Sequence, residues 1–268
     1  MDISILDKYD YLNILNQEHS EEFEVTADAI NCYSRFFSIY SEEKGWEKNL
    51  YASHRNQMSS SGCWLHNSKK CTIDIAGDIL TSAKAFSGLE DIQPDLFMLF
   101  KRLYHTIGNC IPWPEGGNLG GRPWETGGSP DNYYRKIMAC YKIMTKTSQY
   151  DTSCVSCKIS KKQTLGGLCY SSIQYWLDEI WKGNTWEDFV RINYLEDMVD
   201  ENLIPIPFVV GGEKIDKDNS QLITDTYLQS IKMIICRGYR ITHNGELDMT
   251  VINRIYKELG FDEVGPKS

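Results

Sequence analysis

The sequence predicts a single mainly helical domain over residues 1–268, with a small β element and a long Gly/Trp-rich central loop. Three observations predict it. Apolar residues recur every three or four positions along most of the chain, the spacing of helices buried on one face. Strand-like alternation is confined to short stretches, of which Cys71-Thr72-Ile73-Asp74-Ile75 is the clearest. Between two helical patterns, His105–Lys136 is rich in glycine, proline, tryptophan and polar groups. Long loops in compact domains are usually functional or disordered. Trp113 and Trp124 argue against disorder, which is poor in aromatics.

The first helical pattern is short: Ile5, Leu6, Tyr9, Leu12, Ile14 and Leu15, closed by acidic residues 18–22. A stronger one follows through Val25, Ala29, Cys32, Phe36, Ile39 and Tyr40, with Gly45 as its stop. Ser59–Gly62 reads as a turn, and Asp78 as the cap of a short helix ended by Gly88. Pro94 suits the first turn of the next helix, with Asp91 as its cap. Leu96, Leu99, Phe100, Leu103 and Ile107 form its buried face. Gly108-Asn109 would end it, since both residues tolerate left-handed angles, and the central loop begins there.

Ser129-Pro130-Asp131 opens a helix with Tyr134, Ile137, Met138, Tyr141 and Met144 as its stripe. Residues 148–168 form a polar connection, the one place where the domain would divide. Ile173, Trp176, Leu177 and Ile180 make another helix. Thr185 with Asp188 three residues on resembles a capping box. The helix it starts is expected to run through Phe189, Ile192, Leu195, Glu196 and Val199. Ile204–Val210, with two prolines, reads as an edge strand or a packed linker. The longest helix holds Leu222, Tyr227, Leu228, Ile231, Ile234 and Ile235, with Gly238 weakening or ending it before Ile241. His243-Asn244-Gly245 is a turn. Asp248 caps a last helix through Val251, Ile252, Ile255 and Leu259, stopped by Gly260.

The totals narrow the function. A net charge of -9 argues against broad nonspecific nucleic-acid binding, which needs clustered cations to displace counterions. Lys158-Ile159-Ser160-Lys161-Lys162 is a local basic patch or simply a solvated loop. No uncharged apolar run reaches about 18 residues, so no membrane span is expected. The N-terminal stretch carries an early acid and no long apolar segment, unlike a secretory signal. A cytoplasmic protein is expected, with its nine cysteines as thiols. Cys32, Cys140 and Cys236 fall within helical patterns as small core residues.

The chemistry concentrates in the central loop. Glycine pairs at 116–117, 120–121 and 127–128 would let main-chain amides approach an anion. Arg122 and Arg135 would supply charge, and Asn109, Asn118 and Asn132 directional hydrogen bonds. Trp113 and Trp124 would stack a base or sugar. The loop lacks the Lys-Ser/Thr ending of a phosphate-binding P-loop and the strand–Gly-x-Gly-x-x-Gly–helix unit. The competing reading is a structured loop whose tryptophans pin it to the core. His105, near a helix end, is the candidate acid or base, because imidazole titrates near neutrality. Its alternative is a histidine bonded to helix-end carbonyls. Cys154 and Cys157 form one Cys-x-x-Cys pair, with Cys169 as a third zinc ligand and Cys63, His66 or Cys71 as a fourth. A complete second pair is missing, so ordinary thiols compete with zinc. Glu196, Asp197, Asp200 and Glu201 form an acidic cluster that reads as a metal site or, more simply, a solvated helix face.

His105-Thr106-Ile107-Gly108-Asn109, followed by Ile111-Pro112 and Pro114, resembles the centre of an uncharacterised bacterial family whose members carry Tyr/His-Thr-Ile-Gly-Asn with prolines just after. The stretch from Trp186 through Leu195-Glu196-Asp197-Met198-Val199, and Pro205-x-Pro207-Phe208, resembles a later segment of that family. The likeness covers mainly residues 70–240. It implies a cytosolic, largely helical protein and brings no catalytic residues with it. The Gly-rich insert and the Cys-x-x-Cys loop go beyond the shared pattern.

Three functions follow as expectations. The first is binding of an anionic or nucleotide-like molecule by the 105–136 loop. The second is an enzyme acting on a phosphate- or nucleotide-containing substrate, with His105 as acid or base. The third is a protein-interaction component of a bacterial defence or mobile-element system. No cofactor is specified by the sequence.

Overall fold

The computed structural model describes residues 64–66, 69–75, 89–103, 106–114, 132–146, 164–165, 168–169, 177, 184–208, 210 and 218–261. These are mainly helical, with two small antiparallel sheets. The helical patterns before residue 64, the turn at Ser59–Gly62 and the helix capped by Asp78 lie outside them.

Strands β1 (Trp64–His66), β2 (Lys69–Ile75) and β3 (Cys110–Pro114) form one sheet in that order. The alternating Cys71–Ile75 stretch is its middle strand. β3 pairs antiparallel with β2, Ile75 opposite Cys110, Ile73 opposite Pro112 and Cys71 opposite Pro114. The central loop therefore starts later than expected. Prolines 112 and 114 suggested a loop, but an outer strand tolerates residues without an N–H.

Helix α1 (Leu89–Ile92) precedes α2 (Pro94–Leu103). Pro94 opens α2 as predicted, but Asp91 lies within α1 instead of capping α2. Leu96, Leu99, Phe100 and Leu103 are buried at helical spacing. The helix stops at Leu103, short of the expected end at Gly108-Asn109. Ile107–Asn109 instead forms a separate 3-10 turn, and neither Gly108 nor Asn109 has a positive φ. Thr106 binds back to the helix end: its amide and its Oγ1 both donate to the Leu103 carbonyl, at 3.1 and 2.7 Å.

Helix α3 spans Asn132–Met144 and buries Ile137 and Cys140. The predicted cap, Ser129, lies outside the described residues. β4 (Thr164–Leu165) and β5 (Leu168–Cys169) pair antiparallel within the stretch read as a polar connection. Of the helix predicted around Trp176, only Leu177 is described, helical and buried.

Helix α4 (Trp186–Ile192) begins with the predicted capping box: the Asp188 amide donates to Thr185 Oγ1 and the Thr185 amide to Asp188 Oδ2. It does not continue to Val199. Asn193 ends it, Tyr194 takes a left-handed φ of 55°, and a second 3-10 turn covers Glu196–Met198. Leu195 and Val199 are buried as expected, but on a folded-back path. Val199 then bridges Pro205, and the 203–208 segment is a packed linker. Trp186 Nε1 donates to the Leu203 carbonyl at 2.7 Å, and Gln229 Nε2 donates to that of Pro207.

The longest helix, α5, runs Ser220–Thr242. It passes through Gly238 without ending. Asn219 caps its start by accepting from the Leu222 amide. Ile223, Tyr227, Ile231, Ile234 and Ile241 are buried along it. It packs on α1, α2 and both 3-10 turns, which makes it the centre of the described core. Asn244 and Gly245, at φ 52° and 88°, form the predicted turn. Helix α6 (Met249–Glu258) is capped by Asp248, buries Ile252, Ile255 and Tyr256, and is followed by Gly260 at φ 81°. Cys236 Sγ and Tyr256 Oη, 3.1 Å apart, tie α5 to α6. Cys140 and Cys236 are buried thiols, as their patterns predicted.

Candidate functional site

The 3-10 turn at 107–109 is where the sequence and the fold meet. Thr106, Ile107, Gly108 and Asn109 are all buried, although two of the four are polar. Gly108 is required here by contact. A Cβ on it would lie 2.1 Å from the Ile234 carbonyl oxygen and 2.8 Å from the Gly238 nitrogen. Two glycines, one on the turn and one on α5, thus let main chain approach main chain. The backbone that a Gly108 side chain would meet on α5 belongs to Ile234 and Gly238.

Arg237, the neighbour of Gly238, completes the joint. It is fully buried. Its Nη1 donates to the Gly108 carbonyl at 2.9 Å and more distantly to that of Ile107 at 3.5 Å. Its Nε donates to the Asn193 carbonyl at 3.1 Å. A buried charge is tolerated only when it is paired or hydrogen-bonded, and here main-chain oxygens from two distant segments supply those bonds.

Around Asn193 lies a second polar group. Asn193 is buried and donates through Nδ2 to the Phe189 carbonyl. One turn on, Asp197 forms a two-pronged ion pair with Arg240 of α5, with Nε to Oδ2 at 2.6 Å and Nη2 to Oδ1 at 3.4 Å. Both side chains are mostly covered, at 17% and 16% exposure. Burial alone would lower the Arg240 pKa, but the bond and charge of Asp197, with Glu196, outweigh it and raise it. Burial pushes the Glu196 carboxyl above the usual glutamate range; its own amide and Arg240 oppose the rise, and Asp197 adds to it. Glu196 Oε2 is buried with no hydrogen-bond partner among the described residues.

The acidic cluster is therefore divided. Asp197 is in an ion pair, Asp200 accepts from the amides of Asn202 and Ile204, and Glu201 is exposed. It is neither one solvated helix face nor, among the described residues, a group suited to a metal ion.

Of the predicted ligand residues, Asn109 lies buried in the 3-10 turn, Trp113 in β3 opposite Thr72, and Asn132 and Arg135 in the first turn of α3. His105, Asn118, Arg122 and Trp124 lie outside the described residues, as do Cys154 and Cys157. Cys169 is in β5, opposite Thr164. Sequence reasoning missed Arg237. Its signal was its position: Ile223, Tyr227, Ile231, Ile234 and Ile241 mark the apolar face of α5, and Arg237 falls between the last two at helical spacing.

Among the described residues, no helix is long and apolar enough to cross a membrane. No protein-family model, no curated protein and no solved structure matches the chain.

Proposed function

We propose that this protein binds an anionic, nucleotide-like ligand through its 105–136 loop. The observation that supports this reading is the anchoring of the turn that leads through β3 into the loop. Gly108 is seated on α5, and Arg237 holds the carbonyls of residues 107 and 108. A recognition loop held by rigid elements loses less freedom on binding. Arg122 and Arg135 would bind the charged group, Asn118 and Asn132 would orient it, the buried Asn109 would hold the turn at the loop's approach, and Trp113 and Trp124 would stack on a base or sugar. We place the protein in the bacterial cytoplasm with the family its His105–Pro114 segment resembles, a setting that suits a chain of nine cysteines.

The test is titration calorimetry of the full chain with adenosine diphosphate and with inorganic phosphate. Arg122→Glu should weaken binding on the order of 100-fold, the scale of a lost charge-assisted hydrogen bond replaced by repulsion. Its melting temperature should stay unchanged. Full affinity in that variant overturns the assignment of Arg122.

A further inference from the structure

The Arg237 side chain crosses a large distance in sequence. It joins α5 to Gly108, 129 residues earlier, and to Asn193, 44 residues earlier. Both segments are short turns between regular elements: one leads into β3 and the central loop, the other into the 3-10 turn of the Asp197–Arg240 pair. Packing alone does not call for an arginine here, because an apolar side chain of similar length fills such a space without desolvating a charge. The guanidinium adds direction. Its donors lie in one plane at fixed angles, so the two turns it holds are fixed relative to each other.

We propose that Arg237 is a positioning residue for the Thr106–Pro114 segment that leads into the central loop, locking the Thr106–Asn109 turn and the Asn193–Met198 turn into one unit with α5. The proposal rests on the ligand-binding reading for its functional half. Its mechanical half stands on the bonds from Arg237 and the seat of Gly108. Lysine keeps the charge but is a point donor without the planar fork, and cannot reproduce the bonds to both turns.

The experiment compares hydrogen–deuterium exchange and adenosine diphosphate binding in the full-length protein and its Arg237→Lys variant. Exchange in a peptide covering 104–114 should quicken about tenfold through local opening, and α6 should stay protected. Affinity for adenosine diphosphate should fall with it. Unchanged exchange at 104–114 overturns the proposal. An equal rise across every helix also overturns it, since that is loss of stability and not loss of position. If the parent protein binds neither adenosine diphosphate nor phosphate, the ligand reading fails, and exchange still decides the anchor. Should the variant not fold, native-state exchange of the parent decides. The Thr106 and Asn109 amides, bonded to Leu103 and Thr106, should open only together with α5. Opening well before α5 refutes the lock.

Discussion

A single methyl group added at Gly108 would run into main chain. Its nearest neighbours would be the Ile234 carbonyl oxygen at 2.1 Å and the Gly238 nitrogen at 2.8 Å. Helix backbone cannot swing aside as a flexible side chain can, so the turn or α5 must shift. Overpacking of this kind costs about 1–3 kcal/mol, and Gly108→Ala should sit at the upper end in urea unfolding. A loss under about 0.5 kcal/mol, the scale of a neutral surface change, would show that the two backbones are not in such contact. Glu196 makes a prediction of the opposite sign. Its folded pKa is raised, chiefly by burial, so the native state holds its proton more tightly than the unfolded chain. The favourable contribution is complete below the unfolded glutamate pKa and is lost as pH rises through the folded one. Glu196→Gln should therefore stabilise the protein at neutral pH, with the gain fading toward acid. Melting curves across that range check it, and a variant less stable than the parent at neutral pH would refute the desolvation account. Asp188 runs the other way. Bonds from the Thr185 amide and hydroxyl, and then from Arg191, lower its pKa, so its contribution is lost as pH falls through that depressed value.

At the scale of elements, local chemistry was legible wherever it was sufficient. The Thr185/Asp188 box, the Asp248 cap and the Asn244-Gly245 turn each depend on neighbours in sequence, and each forms as read. Thr185→Ala should cost about 1 kcal/mol through lost capping. Chemical denaturation reads this directly, and an unchanged midpoint would mean α4 is held by Trp186 and Phe189 packing alone. Periodicity misled where the chain turns without leaving the core. Leu195 and Val199 continue the apolar spacing of α4 and are buried, yet Tyr194 at φ 55° has already broken the helix. Spacing records burial, and two different backbone paths can bury the same residues. Gly238 misled in the opposite direction. Its low helix propensity suggested a weakened or ended helix, but α5 runs through it to Thr242, and its backbone lies against Gly108, too far along the chain for any local pattern to show.

At the scale of the molecule, the same distance limits what the sequence tells about the site. It marked Thr106–Asn109 as special and could not show what holds that turn, because the partner Arg237 comes 129 residues later. The arginine lies on an apolar stripe, and that misplacement was its only local sign. Asp197 was grouped with its acidic neighbours by adjacency, whereas the fold pairs it with Arg240. One consequence follows from the sheet. Among the described strands, β3 is an outer one in the order β1-β2-β3, and it carries Pro112 and Pro114, two residues apart and so in the same phase of the ladder. The arrangement that wastes no bond to β2 turns both proline nitrogens outward. A foreign strand approaching that side would find two donor positions missing. Among the described strands, that side of β3 is thereby poorly suited to template another chain, since each proline removes a ladder donor there.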